Sequence, residues 1–292
     1  MRETKLVLLS VHYRYSELLA DQARRIERCI GPTRRAMGLR LEYFPVVHRD
    51  SAPEVIAAAR AACRGAEGAA CIDVRERLGG LRCRPSLLHG ESLAAAFAEL
   101  RERGELEPGD LLALLDHDAH PLDVRAFAAL ARRLFEGGLA GIGIPQWQRG
   151  HCYLHPSLLM TRAATVAEIG PEMAFKVTPA AIAGSVEELD TAEGFTFWCE
   201  RHRRPRLALR VIASRFPWAR WDSDMVPGEG AELTGEHREQ VHVGNLMLYG
   251  LQAGQPLVSH IWSAAESAPW FGLGDDAPQR IFSAYLAEPL AE

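Results

Sequence analysis

"GDLLALLDHDAHPLD", residues 109–123, drives an unbroken apolar run, Leu111 to Leu115, into two aspartates that flank a histidine. A run of that kind suits a strand buried on both faces, as in a parallel sheet covered by helices. Asp116 and Asp118, one residue apart at its tip, repel each other unless solvent or a cation intervenes. Two readings stay open on these residues. In one, Asp118 or Asp123 caps the helix expected after Pro121. In the other, the Asp-x-Asp pair holds a hard divalent cation, Mn2+ or Mg2+, whose preferred ligands are carboxylate oxygens. The place of the pair, at the end of a buried strand, favours the metal.

Upstream, residues 5–11 read as a first strand. Ser16 is placed to cap a helix in which Leu19, Ala23, Ile26 and Ile30 recur at helical spacing, with Gly31-Pro32 expected to end it. Leu39, Leu41 and Tyr43 alternate with Arg40 and Glu42 as a second strand. Ser51 and Glu54 have capping-box spacing before an alanine-rich helix to Ala62. Residues 69–74 read as a third strand, "RERLGGLRCRPS" as an irregular loop, and "GESLAAAFAELRERG" as a helix with Leu93, Phe97 and Leu100 on one face. A further helix is expected over residues 123–136. Strand and helix thus alternate through the first ~140 residues, which predicts an α/β fold with a mostly parallel sheet and helices on both faces. Ligands in such sheets bind beyond the carboxyl ends of the strands, where Asp116 and Asp118 fall.

After Ala140 the rhythm changes. "AGIGIPQW" and "HCYLHPSLLM" read as two close strands adding antiparallel edges, and Thr161 as the cap of a short helix to Ile169. "DTAEGFTFWCERH" reads as another helix and "RLALRVIA" as a strand. Beyond Ser214 no sheet pattern is visible, so residues 1–213 are expected to form the main domain and 214–292 an irregular extension folded over its site.

Composition narrows the function classes. The chain has 292 residues, 48% hydrophobic and 24% charged, which is ordinary globular usage and enough for a substantial core. A net charge of −5 argues against a nucleic-acid partner, which calls for basic excess. No apolar run reaches the ~20 residues of a membrane span, and the start lacks a signal-peptide pattern. The six cysteines form no C-x-x-C pair and fit reduced thiols, so a cytoplasmic location is expected.

"LLALLDHDAHPL" resembles the Asp-x-Asp segment of GT-A (Rossmann-like, nucleotide-diphospho-sugar) glycosyltransferases, of the inverting family 2 type. "KLVLLSVHYRYSELLADQ" is similar to their first strand and helix, "HGESLAAAFAELRERG" to the helix before the motif, and "GHCYLHPSLLMTRAATVAEIG" to the segment beyond it. The resemblance covers roughly residues 5–205, and order and spacing carry it. It implies a metal-dependent transferase that moves a sugar from a UDP- or GDP-linked donor to an unidentified acceptor, by inversion. Asp116 and Asp118 would bind Mn2+ or Mg2+ and, through it, the donor diphosphate. His242, in "QVHVGN", would add a third ligand from a late loop, with His260 in "VSHIW" as its rival. Val11, Tyr13, Asp50 and His117 would line the nucleotide pocket. The catalytic base would come from "EELDTAEGFTFW", where Asp190 stands best before the helix, Glu193 is second, and Glu187 and Glu188 lie nearby. Trp147, His151 and His155 would contact the sugar or acceptor; the two histidines share a face at strand spacing. Two alternatives remain: a sugar-nucleotide nucleotidyltransferase, against which the glycine-free "SVHYRYSE" weighs, and a catalytically silent GT-A-like binding module.

Overall fold

A computed structural model describes residues 2–63, 70–79, 85–148, 151–182, 185–212, 246–252, 255–261 and 291. Its centre is a seven-stranded sheet built from β1 (Lys5–His12), β2 (Arg40–Val47), β3 (Ile72–Asp73), β4 (Leu111–Leu115), β6 (Gly141–Gln148), β7 (His151–Arg162) and β10 (Arg206–Ala208). The order is β10-β6-β7-β4-β1-β2-β3. All neighbours pair in parallel except β7, which is antiparallel to both β4 and β6. The mostly parallel α/β architecture read from the sequence is therefore present. The expected antiparallel edge is corrected: β7 lies inside the sheet, because it pairs with β4 on one side and β6 on the other.

Period-two alternation sorts the strand residues between two apolar layers. Leu6 and Leu8 of β1 face a layer with Ile26 and Cys29 of α1 (Ser16–Met37) and Phe127, Leu130 and Leu134 of α5 (Ala126–Glu136). Val7, Leu9 and Val11 face the opposite layer, with Leu93, Phe97 and Leu100 of α4 (Pro85–Glu102) and Phe195 and Cys199 of α8 (Glu193–Arg201). Helices thus cover both faces.

Several local expectations change. α1 does not stop at Gly31-Pro32; it carries Pro32 internally, runs to Met37 and closes at Gly38, whose φ of +65° suits glycine. Packing against α2 (Pro53–Ala62), α5 and β2 outweighs the one backbone bond that proline removes. Ser16 is the first helical residue rather than a side-chain cap. Ser51 does not cap α2; its hydroxyl donates to the His12 carbonyl and accepts from the His48 N–H, tying the ends of β1 and β2 together. Arg75–Leu78 forms a helical turn, α3, inside the segment read as irregular. Thr161 stays in β7, donating to the Ala140 carbonyl, and α6 (Ala163–Ile169) follows; α7 (Pro171–Phe175) starts at Pro171, a residue suited to the first helical turn.

The tail contains regular structure. β12 (Leu246–Gly250) and β13 (Val258–Ile261) join β11 (Arg210–Ile212) and the short β5 (Ala119–Pro121) in an antiparallel sheet ordered β11-β12-β13-β5. A hairpin of β8 (Thr178–Ile182) and β9 (Ser185–Leu189) precedes α8. Among the described residues no helix is long and apolar enough to cross a membrane.

Candidate metal centre

The Asp-x-Asp turn joins the two sheets. β4 ends at Leu115, the Asp116 carbonyl accepts the Ala119 N–H at 3.0 Å, and β5 leaves in the second sheet beside β13. The register sets His260 opposite Ala119 and so brings a tail residue onto the motif. His260 Nε2 lies 3.2 Å from Asp118 Oδ1 and 4.0 Å from Asp116 Oδ2. The ligand atoms of Asp116, Asp118 and His260 all lie within 4.8 Å of one another. Ligands about 2.1 Å from one cation stand ~3 Å apart when adjacent and ~4.2 Å apart when opposite; the two separations from His260 fall in that range, and the 4.8 Å bound on the set calls for a small side-chain adjustment to share an ion. Two carboxylates and one imidazole suit a divalent cation at the hard to borderline end. The capping alternative does not hold for Asp118, because α5 starts at Ala126 without a side-chain cap. Asp123 instead accepts the Arg125 N–H at 2.7 Å.

A bulge completes the pocket. Between Gly143 and Ile144 the partner on β7 jumps from Leu159 to His155. Leu158 O would lie 2.3 Å from a Cβ on Gly143, so only glycine admits this approach. The displaced stretch carries Ser157, whose carbonyl accepts the Asp116 N–H and whose hydroxyl donates to Asp116 Oδ2 at 2.9 Å. Ser157 Oγ also meets His260 Nε2 at 3.1 Å and makes a close contact with His155 Nδ1. From α4, His89 Nε2 reaches Asp116 Oδ1 at 3.2 Å.

Electrostatics follow from burial among imidazoles. Burial acts to raise the Asp118 pKa, but the rings of His117 and His260 outweigh it and hold the carboxyl below its ordinary range. His155 is pushed down to about 4, mainly by burial, with Asp116 opposing and His260 assisting. Burial, with His117 and His120 nearby, likewise pushes His12 well below 6.5. Asp118 is thus held in the ionised form that ligates metals.

The residues expected from the sequence distribute around this centre. His117 is buried between the aspartates, its ring edge-on to Tyr13 at 6.0 Å. Tyr13 stacks on His48 at 5.8 Å, beyond the ends of β1 and β2. Asp50 is exposed there, 3.3 Å from Arg49 Nε. Val11 is buried in the apolar layer beneath. On β7, Tyr153, His155 and Ser157 follow at alternate positions. Tyr153 donates to Asp190 Oδ2 at 3.3 Å, which links Asp190 to the metal-side face. Glu193 is buried, and its Oε2 accepts the Asp190 N–H at 2.5 Å. Trp147 and His151 sit on the backbone of β6 and β7, and Glu187 and Glu188 on β9; their side chains lie outside the described set. His242 also lies outside the described residues; among those described, His260, its rival, completes the cluster with both aspartates. His89, Ser157 and the α1 residues Asp21, Gln22 and Arg25 were not singled out from the sequence. For the α1 residues the visible signal is polarity along the helix side where Gln22 and Arg25 lie buried with Leu18 and Cys29.

No family model matches the chain, and no curated protein matches it. Among solved structures it is similar to a mannosyltransferase from Pyrobaculum calidifontis in complex with GDP-Man and Mn2+, with 10% identity and a TM-score of 0.48. That match covers 71% of this chain and 55% of the mannosyltransferase, so this chain spans about half of that structure's length. The galactosyltransferase LgtC, in complex with donor and acceptor sugar analogs, matches at 12% identity over 96% of this chain and 95% of that one, with a TM-score of 0.44. A 4-diphosphocytidyl-2C-methyl-D-erythritol synthase matches at 15% identity over 71% of this chain and 89% of its own, with a TM-score of 0.39. At these scores the likenesses assign no role to any residue.

Proposed function

We propose that this chain is a GT-A-type, metal-dependent glycosyltransferase that uses a nucleotide-diphosphate sugar, UDP- or GDP-linked, as donor. The observation that carries the reading is the convergence of Asp116, Asp118 and His260 at the carboxyl edge of the parallel strands. Asp116, Asp118 and His260 would hold Mn2+ or Mg2+. When bound, the cation neutralises charge that grows on the leaving diphosphate. The Tyr13 ring, stacked on His48, offers a flat surface to the nucleobase, and exposed Asp50 offers an acceptor for base or ribose donors. Buried His117 closes this pocket from the metal side.

In the inverting form of the reading, Asp190 takes the proton from the acceptor hydroxyl as it attacks the anomeric carbon. Tyr153, donating to one carboxylate oxygen, and Glu193, receiving the Asp190 N–H, fix its orientation. His155, held neutral, and the positions of Trp147 and His151 border the sugar.

The test is nucleotide binding with and without Mn2+. UDP or GDP at a hundredfold excess over its dissociation constant should stabilise the parent by ~2.7 kcal/mol only when Mn2+ is present. Asp116→Asn and Asp118→Asn should remove that metal-dependent part. Equal stabilisation of either variant and the parent would refute the site. Release of nucleoside diphosphate from a panel of sugar nucleotides then separates the transferase from a silent binding module, and pyrophosphate release from nucleoside triphosphate plus sugar phosphate would mark a nucleotidyltransferase.

A further inference from the structure

Behind the candidate metal ligands lies a buried polar chain that none of the assignments above uses. Gln22 of α1 is fully buried, and its Nε2 lies 2.7 Å from both the Asp116 and the Ala119 carbonyls. These two acceptors bracket the turn that carries Asp116 and Asp118. Carbonyls only accept, so the amide group must point its NH2 at them and spend both hydrogens there. Its Oε1 is then left to accept, and Tyr43 O–H donates to it at 2.8 Å. The Tyr43 oxygen, its one hydrogen committed, can only accept from His12 Nε2 at 3.0 Å. His12 must therefore carry its proton on Nε2, which agrees with Nδ1 having no hydrogen-bond partner. The donor sense runs one way, from β1 through β2 and α1 into the motif turn.

A second strut stands beside it. Asp21 Oδ2 lies 2.9 Å from His120 Nδ1 and accepts Arg25 Nε–H at 2.6 Å, while Arg25 reaches the Pro121 carbonyl at 3.4 Å. One turn of α1 thus grips both sides of the segment whose carboxylates must converge.

We propose that Gln22 is the positioning residue of the metal centre: by clamping the Asp116 and Ala119 carbonyls it sets the separation of the two aspartates, and through them metal affinity. The inference rests on the metal reading above. Partners behind the ligating groups typically change metal affinity by about 10–100-fold when removed. Gln22→Met keeps the length and volume of the side chain but supplies no donor. Its Mn2+ dissociation constant, measured by electron paramagnetic resonance titration well below the melting temperature, should rise by about 10–100-fold. Tyr43→Phe, which leaves Gln22 in place but unanchored, should give a smaller rise. A purely structural Gln22 would lower the melting temperature and leave the Mn2+ affinity of the folded protein unchanged, and that result overturns the inference.

Asp118→Asn, titrated alongside, keeps the two claims apart. Loss of Mn2+ binding in Asp118→Asn with unchanged affinity in Gln22→Met refutes the positioning role alone. Unchanged affinity in Asp118→Asn refutes the metal site and the positioning role with it. If Gln22→Met does not fold, Tyr43→Phe decides, and an unchanged Mn2+ dissociation constant there overturns the inference.

Discussion

His48 makes the pH dependence of this fold calculable at a single position. It is 4% exposed, and burial, assisted by His89, pushes its pKa from 6.5 down to about 4. The Asp50 N–H donates to its Nδ1 at 3.2 Å, which requires that nitrogen to be unprotonated. The folded pKa is depressed, so the contribution to stability is complete above ~6.5 and is lost as pH falls toward ~4. A shift of that size corresponds to ~3 kcal/mol over the whole window and to ~2 kcal/mol by pH 5. His48→Asn places an amide oxygen near the Nδ1 position, so it can still accept from Asp50 while losing the titration. Unfolding free energies from urea melts at pH 7.5 and pH 5 should fall by ~2 kcal/mol less in the variant than in the parent. The variant starts lower at pH 7.5 because the stack on Tyr13 is reduced, but that loss cancels in the difference between the two pH values. His12, His120 and His155 are also depressed and destabilise both proteins in acid, so they too cancel. Equal pH sensitivity in parent and variant would refute the reasoning.

His260→Ala should abolish most Mn2+ affinity in a direct titration, and His242→Ala, measured beside it, reports whether the other late histidine contributes. Asp190→Asn should leave Mn2+-dependent donor binding intact and lower turnover by ~10²–10⁴-fold; near-normal turnover with only a lower melting temperature would remove it as base. Tyr153→Phe should lower turnover less than Asp190→Asn does, with donor affinity unchanged, because it only orients the carboxylate. Nuclear magnetic resonance of the first product should show the opposite anomeric configuration to the donor; retention would end the inverting form of the reading while leaving the metal centre untouched.

What the sequence revealed follows from how local each signal was. The run from Leu111 to Leu115 ends at Asp116 whatever packs around it, so the strand and the placement of the Asp-x-Asp pair were legible. The first strand, the alternation in β2 and the apolar face of α4 were legible for the same reason. The third member was legible only as one of two late histidines, because His260 reaches the aspartates through the register of β13 on β5, in which Ser259 pairs with His120 across 139 residues. A histidine between apolar neighbours carries no sign of that pairing. Ser157 needed the bulge opposite Gly143, and a bulge is invisible to a period-two count.

The face of α1 shows how pattern reading can be incomplete near a site. Leu19 and Ile26 of the expected apolar stripe are enclosed and Ala23 and Ile30 are partly buried, and Gln22, Arg25 and Thr33 are enclosed beside them. The helix has turned its polar line toward the motif, since Gln22 and Arg25 find carbonyl and carboxylate partners there that repay desolvation. Apolar residues could fill that space only by leaving the Asp116 and Ala119 carbonyls without these donors. The apolar stripe also faces inward, with Leu19 and Ile26 enclosed and Ala23 and Ile30 packed on the core, so packing alone would not call for the polar line beside it. The polar line facing the turn is what the proposed positioning of Asp116 and Asp118 asks of this helix, and it ties α1 to the turn at the end of the fourth strand.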